Sequence, residues 1–211
     1  MATFHVYHPR AMADDLDDKI KLSQQLVMTP QLQLAIKLLA TPSKELAALV
    51  ASTPGIEPAE PGDPDPLQTP NDEELELQTE TGVTPWSFLI ERPAELAPAE
   101  ADVWIFGNPP VARANRAVLP RLRGTGRDAA WLFRALRQRS KTYERVVEAL
   151  LEARPQLAVA AGPIEPVPLR QVAETIGMHE STIMRVCSAC RIQNLHGVWS
   201  LAATKRGITI T

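Results

Sequence analysis

The sequence predicts a mainly α protein: short N-terminal helices, a disordered acidic linker, then a long helix and a helix-turn-helix with small β-hairpins. Three observations predict it. Apolar residues recur at helical spacing over 21–53, 128–153 and 169–186. A proline-rich acidic stretch interrupts that pattern, and turn-forming residues separate short β-type runs near 103–119 and 191–201. At 211 residues the chain suits one medium or two small domains, which excludes a large multidomain enzyme. Composition divides it into 1–53, 54–101, 102–160 and 161–211.

In the first segment Thr-Pro occurs at 29–30, 41–42 and 53–54. In the first two pairs Thr is an N-cap candidate and Pro suits the first helical position, where its fixed φ is already helical. Leu32, Ala35, Ile36 and Leu39 form the apolar stripe of one helix, widened by Leu34 and Leu38; Leu46, Leu49 and Val50 do the same in the next. Isolated helices this short are marginal in water, so they must dock on the chain or on a partner. An ordinary core hairpin is the competing reading.

From 54 to 101 the pattern dissolves. Six prolines fall between 54 and 70, and residues 57–102 carry thirteen acids against one base, Arg92. Such a stretch buries too little apolar surface to offset its conformational entropy, and its charges repel one another. It reads as a solvated linker, or as a segment that mimics nucleic acid and shields the basic half. TPWSFLIERP at 84–93 is an apolar island too short to assign.

The third segment opens with a hairpin signal. Val103 to Phe106 run into the turn residues Gly107-Asn108-Pro109 and are expected to return through Val118 and Leu119. A long helix follows from about Asp128 to Ala153, ended by Pro155. Trp131, Leu132, Ala135, Leu136, Tyr143, Val146, Val147, Leu150 and Leu151 fall mainly on one side; Arg134, Arg137, Arg139, Lys141 and Arg145 are assigned to the other. That basic side is either a solvated face or a phosphate or partner contact. The net charge of −3 hides a cancellation, because residues 103–211 hold sixteen bases and seven acids, an asymmetry that points to a nucleic-acid or acidic partner.

The informative motif is LRQVAETIGMHESTIMRV at 169–186. Ala173 is followed after four residues by Gly177, then after six by Ile183 and after three by Val186, the layout of a helix-turn-helix. Small Ala173 lets the second helix approach, Gly177 permits a left-handed turn, and Val172, Ile176, Met178, Ile183 and Val186 supply the shared core. His179, Glu180, Ser181 and Thr182 then open a recognition helix, with Met184 and Arg185 one turn on. Ser181 or Thr182 is also a cap or phosphate-contact candidate, Arg185 can donate two hydrogen bonds to a guanine, and Glu180 suits a helix N-terminus with or without DNA. Arg191 to Gln193 and Gly197 to Leu201 frame a turn at hairpin spacing, consistent with a small wing.

Cys187 and Cys190 have C-x-x-C spacing inside a helix, which does not supply a tetrahedral metal site, so buried thiols and no metal are expected. There is no Walker loop, no Gly-x-Ser-x-Gly and no complete dinucleotide fingerprint. No enzyme activity, catalytic residue or cofactor is expected. The first residues lack a signal-peptide apolar core, and no run approaches a membrane span, so the protein is read as cytoplasmic.

KLSQQLVMTPQLQLAIKLL at 21–39 closely resembles the glutamine-rich region I of bacterial sigma-54 transcription factors. VLPRLR at 118–123, AAWLFRALRQRSKTYERVVEALLE at 129–152 and PLRQVAETIGMHESTIMRV at 168–186 resemble, in the same order, part of that family's core-binding region and its helix-turn-helix. The acidic stretch resembles the variable region II. The resemblance implies a factor that binds core RNA polymerase and promoter DNA with GG and GC elements and depends on an ATP-hydrolysing enhancer-binding activator. It is then nucleoid-associated in the cytoplasm. The alternative is a truncated paralogue acting as decoy or modulator without independent promoter recognition.

Region I, with Leu22, Gln24, Gln25, Leu26, Met28, Gln31, Leu32, Ile36 and Leu39, would meet the activator and the polymerase. His179, Glu180, Ser181, Thr182 and Arg185, supported by Arg134 and Arg137, would meet DNA. Two departures stand inside the motif: Gln171 where an acid is usual and Met184 where Ser is usual. The chain is also expected to be a shortened member, without most of the first helical part of the core-binding region or the C-terminal box that reads the GG element.

Overall fold

The computed structural model describes residues 29–63, 67, 101–107 and 109–211. Most of the acidic linker, including 84–93, therefore lies outside the described residues, as do Leu22, Gln24, Gln25, Leu26 and Met28. Contacts divide the chain into two units, Met1–Leu34 and Ala35–Thr211. Helix α1 (Pro30–Ala40) begins in the first and ends in the second. Thr29 caps it, its hydroxyl accepting from Leu32 N at 3.2 Å, as the Thr-Pro pair predicts.

The second Thr-Pro pair behaves differently. Helix α2 (Ser43–Ala51) starts after Pro42 with no side-chain cap, and the Thr41 hydroxyl donates backwards to Lys37 O at 2.7 Å. Thr41 thus closes α1 rather than opening α2. Leu46 and Val50 are buried as expected, but in α1 burial centres on Leu38, while Leu32 is 38% exposed.

Helix α3 (Gly126–Ala153) matches the long helix, and Pro155 opens a 3-10 turn, Pro155–Val159. Leu132, Leu136, Tyr143, Val146, Val147, Leu150 and Leu151 are buried, whereas Trp131 and Ala135 are half-buried. Arg139 corrects the expected basic face, because it is only 2% exposed. Its guanidinium donates to Leu38 O at 2.9 Å, in the last turn of α1, and to Thr41 O at 3.1 Å just beyond it. It also pairs with Asp102 at 3.3 Å and stacks 4.1 Å above the Tyr143 ring. Asp102 accepts further bonds from the Ser43 hydroxyl and from Arg191 N. Tyr143 donates its hydroxyl to Leu39 O at 2.7 Å. One buried cation thus joins the α1–α2 corner to α3 and to the start of the sheet.

The first hairpin forms, but with a different return strand. Strand β2 (Val103–Phe106) pairs antiparallel with β3 (Val111–Ala114), and Val118 lies in a 3-10 turn, Arg116–Val118. Hairpin loops are short, so the chain turns back at once and the return strand buries Ala112, while Leu119 is buried further on, outside the sheet. Strands β5 (Arg191–Asn194) and β6 (Gly197–Thr204) form the expected wing-like hairpin around Leu195-His196. β7 (Gly207–Ile210) pairs with the second half of β6.

These hairpins are not separate. β2 pairs in parallel with β5, which gives one five-stranded sheet in the order β3-β2-β5-β6-β7. Gly207 admits a close approach: a Cβ there would lie 2.3 Å from Val167 O, whose residue bridges to Ile208. A second, two-stranded sheet pairs β1 (Ile56–Pro58) with β4 (Leu122–Gly124). At it the start of the acidic stretch meets bases, with Glu57 3.0 Å and Asp63 3.7 Å from Arg123.

Candidate nucleic-acid interface

Helices α4 (Leu169–Ile176) and α5 (Glu180–Ala189) meet through Gly177, whose φ of 64° and ψ of 37° place it in the left-handed region. Met178 N reaches back to Ala173 O at 2.9 Å and closes the turn. Val172, Ala173, Ile183 and Val186 are buried and Ile176 and Met178 half-buried, so the sequence pattern and the shared core coincide. Arg145 of α3 donates to Ile176 O at 2.7 Å. It anchors the C-terminal end of α4, where a cation complements the helix dipole.

The cap of α5 is His179, not Ser181 or Thr182. Its Nδ1 accepts from Ser181 N at 3.1 Å and lies 2.8 Å from the Ser181 hydroxyl. With Nδ1 accepting, a ring proton sits on Nε2, which remains a donor. Glu180 sits in the first turn, where the dipole favours an acid.

Burial sorts the remaining positions of α5. Ile183, Val186, Cys187 and Ala189 face the core. At about 100° per residue, Ser181, Met184, Arg185 and Ser188 share the opposite face, while Thr182 turns toward the buried side. On that face Met184 and Ser188 are exposed and Ser181 and Arg185 intermediate, as Thr182 also is, while Glu180 is exposed at the helix start. Ser188 was not among the expected contacts, although its spacing of seven from Ser181 and four from Met184 puts it on that face. On α3, Arg134 is exposed and Arg137 partly exposed. In α1, Gln31 and Leu32 are exposed and Ile36 and Leu39 half-buried.

The wing-like hairpin is fixed from beneath by Asn194, which is 1% exposed. Its Nδ2 donates to Leu157 O at 2.8 Å and Ala160 O at 2.9 Å; its Oδ1 accepts from His196 N and from Trp199 Nε1, both at 3.0 Å. One amide therefore ties the hairpin to the turn after α3 with every donor and acceptor in use.

Cys187 and Cys190 are both buried. Burial pushes the Cys187 thiol up to about 12 and the Cys190 thiol well above its ordinary range, so both remain neutral and unreactive. Among the described residues no group of three or more His, Cys, Asp or Glu could hold a metal ion, and no helix is long and apolar enough to cross a membrane.

Two family models match the chain: "Sigma-54, DNA binding domain" over residues 121–204, and "Sigma-54 factor, Activator interacting domain" over residues 19–52. Together they take in more than half of the 211 residues. The RNA polymerase sigma-54 factor of Xanthomonas euvesicatoria is 37% identical over 83 residues, which are 39% of this chain and 17% of that protein. The sigma-54 factor of Bacillus subtilis (strain 168) is 33% identical over 72 residues, 34% of this chain and 16% of that one. That of Caulobacter vibrioides is 39% identical over 74 residues, 35% of this chain and 15% of the relative. The matched stretch thus spans 15–17% of the length of these relatives.

Proposed function

Because the chain belongs to the sigma-54 family, we propose that it acts in transcription initiation, binding core RNA polymerase and promoter DNA and depending on an ATP-hydrolysing activator. The observation that carries the reading is the capped helix α5, which packs one face on the core and leaves Ser181 and Arg185 on the other, inside the stretch matched as a DNA-binding domain. Arg185 has the fork geometry to take a guanine edge in the GC element. Ser181 reaches an adjacent base edge or phosphate, Thr182 and Glu180 lie at the rim, and His179 donates to the backbone through Nε2. Arg134 and Arg137 of α3 supply phosphate contacts that position without specifying sequence.

The N-terminal segment 1–53 takes the activator- and polymerase-facing role, with Gln31 and Leu32 presented to solvent at the start of α1. Segment 54–101 is the spacer, 102–160 the partial core-binding region and 161–211 the DNA-reading part. The chain carries out no catalysis of its own and works in the cytoplasm at the nucleoid. The test is a pull-down of purified core RNA polymerase by the full chain at low salt. Co-migration is expected, and absence of binding under those conditions contradicts the reading.

A further inference from the structure

Met184 is 54% exposed on the outer face of α5, which is otherwise polar, beside Ser181, Arg185 and Ser188. The core does not need it, since Ile183, Val186, Cys187 and Ala189 already fill the inner face. We propose that Met184 reads the C5-methyl group of a thymine beside the guanine taken by Arg185, and so is a specificity-determining residue of the interface. This rests on the DNA-reading role proposed for α5.

The chemistry singles out thymine. Of the four bases, only thymine presents a methyl group in the major groove, and an apolar side chain there gains by covering it. A methionine is unbranched and polarisable, so it can settle on a methyl whose position varies with local DNA shape. It has no donor or strong acceptor to satisfy, and it therefore discriminates by the methyl alone. Met184 and Arg185 are consecutive, so their side chains leave the helix about 100° apart and address neighbouring base pairs rather than the same one. The pair divides the work: one side chain reads by hydrogen bonds and the other by apolar contact.

The experiment measures fluorescence anisotropy of the full chain on duplexes carrying the GC element, with thymine placed in turn at each flanking position and then replaced by 2′-deoxyuridine, which removes only the methyl. At one position wild-type binding is expected to weaken about fourfold, the equivalent of ~0.8 kcal/mol for one methyl-sized group left in water. Met184→Ser is expected to bind both duplexes equally, and Met184→Leu to restore the difference. Indifference of the wild type to every replacement overturns the proposal, as does undiminished sensitivity in Met184→Ser. If GC preference persists and is lost in Arg185→Ala while no methyl effect appears, only this inference fails. If the chain shows no preference for GC over scrambled duplex, the DNA-reading role fails with it.

Discussion

Arg139 Nη2 lies 3.3 Å from Asp102 Oδ1, with both side chains almost fully withdrawn from water, at 1% and 3% exposure. Each charge is bonded beyond its partner: Arg139 to the carbonyls that end α1, Asp102 to Ser43 and to the backbone of β5. The pair therefore carries the junction of the α1–α2 corner, the long helix and the sheet. A buried pair of this kind adds little over an apolar substitute, but losing one partner strands the other charge in a medium that solvates it poorly.

Arg139→Met should accordingly cost about 3–5 kcal/mol in urea unfolding, and Asp102→Leu a similar amount. The double variant should be more stable than either single one, because no lone charge remains. Additive losses would show that the two side chains act independently.

High pH should unfold the protein through its buried acids. Burial raises the pKa of Cys187, from an ordinary 9.0 to about 12, and raises those of Cys190 and Tyr143. The native state thus keeps protons that the unfolded chain releases. That stabilisation is complete below about pH 9 and is lost as the pH rises toward the native values, by on the order of 1 kcal/mol per pH unit for each group. Urea midpoints at pH 8, 9.5 and 11 should fall steadily, and less steeply in Cys187→Ala. An unchanged midpoint contradicts the burial argument.

Asn194→Ala should destabilise the fold by about 2–4 kcal/mol, because two buried carbonyls and the Trp199 indole lose their partner together. Asn194→Asp should be no better, since it sets a carboxylate against Leu157 O and Ala160 O. Urea unfolding checks both, and an aspartate variant of wild-type stability would exclude the amide donors as the source.

Much of this architecture was legible in local pattern. The spacing of Ala173, Gly177, Ile183 and Val186 already placed the turn and the shared core of α4 and α5, and the apolar period placed α3 to within two residues of its observed start. Arg139 departs from the expected basic side because its phase along the helix, not its residue type, sets its burial. It stands seven residues after Leu132, three after Leu136 and four before Tyr143, squarely on the buried stripe. A charge in that phase signals a buried partner, here carbonyl ends and an aspartate far away in sequence. The β2–β5 pairing was not legible, because it joins segments separated by the whole of α3, α4 and α5 and leaves no local period. The cap of α5 was hidden for another reason: an imidazole accepts through Nδ1 as readily as a hydroxyl, but only the backbone geometry shows that it does.

The outer face of α5 is the proposed reader of promoter sequence. Its most direct test is equilibrium binding of wild type, Arg185→Ala and Arg134→Ala to a GC-element duplex and to a scrambled duplex across a range of salt. The predicted result is that wild type prefers the GC element by about 1–3 kcal/mol, that Arg185→Ala binds both duplexes alike, and that Arg134→Ala weakens both equally with a shallower salt slope. Equal loss on both duplexes for Arg185→Ala, with the preference intact, would contradict it.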